Sequence, residues 1–236
     1  MREKSVKMTK ILVFSPHPDD LDFGCSGTIA KWASDGKEIT YCILSDGSRG
    51  GHILKISDQE LAKIREKEQK SAAEILGAKD VIFLREKDGE IQNTKKLRKK
   101  LVEVIRKTKP DIILSFDPAN CEFENFYRCH RDHRNGAEAV FDAIYPDANN
   151  ESFFPEIFEK YPPHQVKEVW FFATNKPNVF VDISKTIEKK LEALRQHKSQ
   201  IKDWNRVEKM IKDWAKTVGK KSKMKYAEGF RRVKLD

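Results

Sequence analysis

The sequence is poor in cysteine and has neither a long apolar run nor a glycine-rich nucleotide loop. Its four cysteines (Cys25, Cys42, Cys121, Cys129) include no Cys-x-x-Cys pair. That excludes a zinc ribbon and a dithiol redox motif and leaves unpaired thiols as the expectation. Nothing approaches the roughly 20 apolar residues of a membrane helix. The opening MREKSVKMTK leads only into ILVF before Ser15-Pro16, too short for the apolar region of a secretory signal, so a cytoplasmic protein is expected. Internal repeats and low-complexity tracts are missing too. What is present is 236 residues, 39% hydrophobic and 10% aromatic, enough for one sizeable domain with its own core.

Charge is unevenly placed. Of the net +9, residues 184–236 carry 17 Lys+Arg against 7 Asp+Glu, so the preceding chain is close to neutral. A polybasic segment attracts phosphates, nucleic acid or acidic lipid. No RNA-recognition or helix-turn-helix signature accompanies it, and a solvated helix face accounts for it as well.

Apolar runs and helical patterns alternate along the chain. Residues 10–15, 38–44, 80–84 and 111–116 read as buried strands. Between them lie helical patterns at 24–34, 57–76 and 94–108, the second opened by a Ser57/Glu60 capping box and closed by Gly77. A loop over 117–128 leads to a helix from about His130 to Ile144. Residues 167–173 and 179–181 read as further strands, and the pattern is helical from Ser184. Ile201, Trp204, Val207, Ile211, Trp214 and Val218 form one apolar stripe, suited to packing on the body or on another subunit. This order predicts a Rossmann-like three-layer α/β domain with a mostly parallel sheet and a helical, basic C-terminal segment.

In such a sheet, ligands bind beyond the carboxyl ends of the strands. Two loops there are rich in metal-ligating side chains. The first is Ser15-Pro16-His17-Pro18-Asp19-Asp20-Leu21-Asp22 and the second ends in His130-Arg131-Asp132-His133. Three carboxylates rule out a dinucleotide phosphate site, which also needs the absent GxGxxG. Adjacent Asp19 and Asp20 repel each other unless a cation or hydrogen bonds compensate. Zinc accepts His nitrogen and Asp oxygen, and a catalytic zinc keeps one position open. His17 and Asp20 are two candidate ligands, and either His130 or His133 is a third. A remaining carboxylate then suits a general base, and the remaining histidine suits the oxyanion or the leaving group. The residues alone thus indicate a metal-dependent hydrolase.

At these positions the sequence resembles the LmbE/PIG-L family of zinc-dependent N-acetylglucosaminyl deacetylases. The family's (A/S/P)HPDD motif stands here as Pro16–Asp20 and its HxDH motif as His130–His133, in matching order and context from residue 9 to about 200. The resemblance implies one zinc per chain on His17, Asp20 and His133, with Asp19 as general base. It implies that His130 stabilises the tetrahedral intermediate and that Asp132 orients a neighbouring histidine. Arg65 and Glu68 match an Arg-x-x-Glu pair of the family, and Arg65 becomes a candidate to hold sugar hydroxyls or the acidic neighbours of the site. His197, in the segment His197-Lys198-Ser199-Gln200, is a second candidate for substrate binding. Asp46 and Arg49 follow the second strand at the same sheet edge, with no role assigned. Arg131 replaces the more familiar proline. The 117–129 loop, with Cys121, Phe123, Phe126 and Tyr127, is distinctive, and its aromatics suit sugar stacking or core filling equally.

The function this implies is hydrolysis of an N-acetyl group from an N-acetylglucosamine-type derivative by a homo-oligomeric enzyme that binds no nucleic acid. Residues 1–200 would form the LmbE-like domain and 201–236 a helical basic extension packing on that domain or a neighbouring subunit. Two other classes compete: a binding protein for nucleic acid or acidic lipid with a vestigial metal site, and a non-haem Fe(II) oxygenase built on two histidines and a carboxylate.

Overall fold

Five apolar strands, each flanked by a helix pattern, build the first part of the sheet in a computed structural model, which describes residues 8–50, 55–120, 123 and 127–235. These strands are Lys10–Ser15 (β1), Glu38–Ser45 (β2), Asp80–Glu86 (β3), Ile112–Phe116 (β4) and Glu168–Phe172 (β5). Two more, Val179–Asp182 (β6) and Ala227–Lys234 (β7), complete a sheet of order β3-β2-β1-β4-β5-β7-β6. β1 to β5 pair in parallel, whereas β7 runs antiparallel to both β5 and β6.

Alternation along each strand feeds two cores. In β1, Leu12 and Phe14 face one side, with Leu101, Val102 and Ile105 of helix α3 (Lys95–Thr108) and Val140 of α4 (Arg131–Asp142). Ile11 and Val13 face the other, with Leu21, Cys25 and Ile29 of α1 (Asp20–Ser34) and Ala72 and Leu76 of α2 (Asp58–Leu76). Strands buried on both faces read as near-continuous apolar runs, which is why they stood out in the sequence. The Ser57–Glu60 capping box opens α2, and Gly77 ends it at φ 78°, in the left-handed region.

The segment expected to be helical from residue 201 divides in two. Trp204–Lys221 is helix α6, which packs through Ile211 and Ala215 against Leu191 and Leu194 of α5 (Ile187–Leu194). Residues 227–234 are instead strand β7. Their charges, which made the stretch read as a solvated tail, are matched by partners inside the fold. Glu228 meets Lys190 Nζ at 2.6 Å, Arg231 meets Asp117, and Arg232 Nε donates to Glu168 at 2.9 Å. Trp214, part of the predicted apolar stripe, stays 53% exposed. No helix among the described residues is long and apolar enough to cross a membrane.

Strand order reverses between β1 and β4. To one side the chain runs outward through β2 and β3, and to the other through β5. The loops leaving β1 and β4 therefore diverge and leave a crevice at the carboxyl edge, the switch point where open α/β sheets bind ligands. The first motif stands where the loop leaving β1 enters α1, and the second where the loop leaving β4 enters α4.

Candidate metal centre

His17 comes off the end of β1, fixed between Pro16 and Pro18, and His133 lies in the first turn of α4. Their side chains meet across the switch point. His133 Nε2 lies 3.2 Å from His17 Nδ1. The Asp20 carboxylate closes the triangle, with Oδ2 3.0 Å from His17 Nδ1 and Oδ1 3.2 Å from His133 Nε2. Ligands about 2.0–2.1 Å from a tetrahedral zinc stand about 3.3–3.4 Å apart, so the spacing of the two histidine nitrogens suits the ion, with an Asp20 oxygen beside each. His133 Nδ1 is buried without a hydrogen-bond partner among the described residues.

The far side of the His17 ring is equally well defined. Nε2 is 3.2 Å from Asp132 Oδ2 and 3.3 Å from Asp88 Oδ1. With the proton on Nε2, the Nδ1 lone pair is left free for a cation lying between it, Asp20 and His133, which is how carboxylates commonly orient a metal-binding histidine. Asp132 is fully buried and is itself held by the backbone N–H groups of Gly89, at 2.7 Å, and Ile91, at 3.3 Å.

Asp88 went unnoticed in the sequence. It follows β3 at the same sheet edge, in an Asp-Gly turn with Gly89 at φ 78°, and that turn was the available signal. Asp46, one of the unassigned candidates, positions it by accepting the Asp88 N–H at 3.1 Å. Arg49 gives its backbone N–H to Asp88 Oδ2 at 2.9 Å and its guanidinium to Glu90 on the surface.

Asp19 caps α1 in an unusual way. An N-cap aspartate ordinarily accepts from the first helical amides. Here φ is 103°, the side chain makes no cap hydrogen bond, and Oδ2 lies 3.3 Å from Arg65 Nη2. A non-glycine residue in such a conformation costs about 1–3 kcal/mol and needs support from its surroundings. Arg65 is 3% exposed and donates to Gly47 O at 2.8 Å and to Pro18 O at 2.5 Å. It thus sits beneath the loop, also 3.9 Å from Asp88 Oδ2.

His130 is exposed at the mouth, its ring 5.1 Å from that of His17 and 5.2 Å from that of His133. Its Nδ1 accepts the Asp132 N–H at 3.2 Å. The donor atoms of His17, His130 and His133 all lie within 4.8 Å of one another. The expectation that His197 touches substrate is corrected by its burial. It is 0% exposed, with Nε2 2.8 Å from Asp22 Oδ2 behind α1. Glu68 is likewise turned away from the crevice, accepting from Ser199 N at 2.8 Å and Oγ at 2.7 Å. Of the 117–129 loop, Phe123 and Tyr127 are exposed, and Cys121 and Phe126 lie outside the described residues.

The charges of the cluster reflect its crowding. Burial works against a charged His17, yet the Asp20, Asp132 and Asp88 carboxylates hold its pKa well above the usual value. Burial likewise works against a charged Asp20, but His133 and His17 pull its carboxyl well below the ordinary range. Asp88 is brought to about 2 by His17 despite its burial. Asp19 moves the other way. Burial raises its pKa against the pull of Arg65, and the Asp20 charge adds to the rise. Burial lowers that of His130, helped by the other two histidines. Asp19, Asp20, Asp88 and Asp132 gather around two neighbouring histidines and one arginine, an excess of negative charge that suits a bound cation.

An α/β sheet with this donor set at its switch point defines a metal-dependent hydrolase. The chain belongs to the PIG-L family, its residues 12–144 matching the description GlcNAc-PI de-N-acetylase. The family is one of metal-dependent deacetylases, hydrolases that act on amide bonds. The chain is 40% identical to diacetylchitobiose deacetylase of Thermococcus kodakarensis over 230 residues, covering 95% of this chain and 83% of the relative. It is 30% identical, over 80% of each chain, to a probable N-acetyl-alpha-D-glucosaminyl L-malate deacetylase 2 of Bacillus anthracis. Among solved structures, N,N'-diacetylchitobiose deacetylase from Pyrococcus horikoshii superposes with a TM-score of 0.89 at 32% identity, over 97% of this chain and 85% of that one.

Proposed function

We propose that this chain is a zinc-dependent deacetylase that removes the acetyl group from an N-acetylglucosamine-type amino sugar, with one zinc per chain on His17, Asp20 and His133. The observation that carries this is that His17 Nδ1 and His133 Nε2 stand 3.2 Å apart with one Asp20 oxygen at 3.0 Å from the first and the other at 3.2 Å from the second, next to a further carboxylate, Asp19. Relatives that act on diacetylchitobiose and on an N-acetylglucosaminyl malate support the substrate class. A zinc ion there would polarise the amide carbonyl and lower the pKa of a neighbouring water.

The chain's own residues supply the proton handling. Asp19 takes the proton from the attacking water, and its raised pKa brings it nearer the working pH of a general base. The water oxygen bonds to the carbonyl carbon, the carbon–nitrogen bond breaks, and the departing nitrogen receives a proton, giving acetate and a free amine. His130, at the mouth, faces the developing oxyanion and helps the amine leave. Asp132 keeps the His17 proton on Nε2. Arg65, held beneath the loop, steadies Asp19 at 3.3 Å and faces Asp88 at 3.9 Å. Exposed Trp214 is the contact we assign to association of identical chains.

Elemental mass spectrometry of the purified protein, paired with acetate release from diacetylchitobiose, tests this. The expected result is about one zinc per chain, lost in His17→Ala and Asp20→Ala together with acetate release. Full zinc in those variants overturns the ligand assignment. A zinc-loaded protein that deacetylates no N-acetylhexosamine overturns the function.

A further inference from the structure

His197 lies fully buried, in a segment the proposed chemistry does not use. It ends a chain of hydrogen bonds that leads back to the site. His197 Nε2 is 2.8 Å from Asp22 Oδ2. The same oxygen accepts from Gln69 Nε2 at 2.9 Å, and Gln69 Oε1 accepts the backbone N–H of Asp19 at 2.8 Å. Asp22, Gln69 and His197 are each 0% exposed. Neither Asp22 Oδ1 nor His197 Nδ1 has a hydrogen-bond partner among the described residues, so the polar contacts of this group run along one line toward Asp19.

We propose that Gln69 is a positioning residue that aims the Asp19 carboxylate, with Asp22 and His197 fixing the direction of its amide. The inference rests on the general-base role of Asp19 proposed above. At φ 103° the Asp19 side chain is turned away from the α1 amides it would otherwise cap, and its N–H must find an acceptor inside the protein. Gln69 supplies it one helical turn beyond Arg65, which contacts the same residue's carboxylate. One buried face of α2 therefore holds Asp19 at two points, by its backbone and by its side chain. A glutamine amide has distinct ends. Its oxygen meets the Asp19 N–H only if its NH2 faces an acceptor, and the Asp22 carboxylate, bonded to His197, is that acceptor.

Polarity gives the test. Gln69→Glu keeps the size of the side chain and can still accept the Asp19 N–H, but sets a second carboxylate oxygen against Asp22. In the double variant Asp22→Asn/Gln69→Glu, the introduced asparagine amide donates to the introduced glutamate with one hydrogen and to Nε2 of neutral His197 with the other, which restores the line with reversed polarity. Gln69→Leu, which removes the acceptor without adding charge, is the second single variant. The expected result is a fall in kcat of roughly 10- to 100-fold in both single variants, since small misplacements of reacting groups have effects of that size. KM and zinc content should stay unchanged, and the double variant should regain most of the loss. A residue that only stabilised the fold would give a lower melting temperature, with kcat per folded, zinc-loaded molecule unchanged. Wild-type kcat in either folded single variant, or a double variant no better than Gln69→Glu, overturns the proposal. If neither single variant folds, kcat of the double variant and of His197→Asn decides, and wild-type values in His197→Asn together with an inactive folded double variant count against it. If Asp19→Asn retains turnover, it is the general-base assignment that has failed. If Asp19→Asn is inactive while the Gln69 variants are normal, only the positioning role has failed.

Discussion

Replacing Asp19 by asparagine isolates proton transfer from every other property of the site. Asparagine has nearly the same shape and tolerates positive φ better than most residues, so the backbone at φ 103° is retained. Its amide oxygen still accepts from Arg65, which lies 3.3 Å from the aspartate. The donor triangle of His17, Asp20 and His133 does not involve Asp19, so zinc content should remain at the wild-type level. What is removed is the group that accepts the water proton, a contribution of roughly 10²- to 10⁴-fold, or about 3–5 kcal/mol of barrier. The assay is acetate release from diacetylchitobiose by wild type and variant, with zinc per chain measured on the same samples. A zinc-loaded Asp19→Asn enzyme within tenfold of wild type would refute the general-base assignment and, with it, the reason given for the strained turn.

Three further outcomes follow from the packing. Lys190→Met leaves the Glu228 carboxylate buried without its cation, since Lys190 Nζ lies 2.6 Å away and both side chains are nearly inaccessible. A loss of about 3–5 kcal/mol in denaturant unfolding is expected, and a change under about 1 kcal/mol would refute the dependence of the buried carboxylate on Lys190. Gly24→Ala places a Cβ 2.5 Å from the Phe172 ring, which stacks 4.6 Å from Phe116, itself 4.4 Å from His133. About 1–3 kcal/mol of destabilisation is expected, with weaker zinc retention in competition with a chelator; unchanged unfolding would mean the rings yield freely. Burial disfavours the charged form of His197, but Asp22 raises its pKa above 6.5 in the folded protein. That stabilisation is complete below about pH 6.5 and is lost as pH rises through the folded value. Thermal unfolding should therefore show the advantage of wild type over His197→Asn shrinking as pH rises above about 6.5, and an advantage that grows with pH would reverse the assignment.

The parallel strands and both loops of the candidate metal centre were legible because each is a local signal. β1 is buried on both faces, and His17, Asp19 and Asp20 lie within four consecutive residues. Less visible was whatever depends on partners distant in sequence. Asp88 is an ordinary turn aspartate until His17 is brought beside it. His197, a substrate-binding candidate on the sequence, shows its buried place only when Asp22, on the first helix, is brought beside it. The strand Ala227–Lys234 has only Ala227 and Phe230 fully buried among its apolar side chains, and its charges find Lys190, Asp117 and Glu168 only in the folded sheet. Arg65 was legible only through the resemblance, which made it a candidate to hold the acidic neighbours of the site; it is held under the candidate-site loop by two carbonyls and the Asp19 carboxylate.

The interior placement of β7 also orders events in time. β6 meets the sheet only through β7, with Asp182 opposite Ala227. It therefore has no docking edge until some forty-five later residues have emerged from the ribosome. The five parallel strands and the loops of the candidate metal centre can assemble first, and strand β7 then closes two open edges in one step. During synthesis the exposed edge of β5 is the place where a nascent chain would pair with the wrong partner.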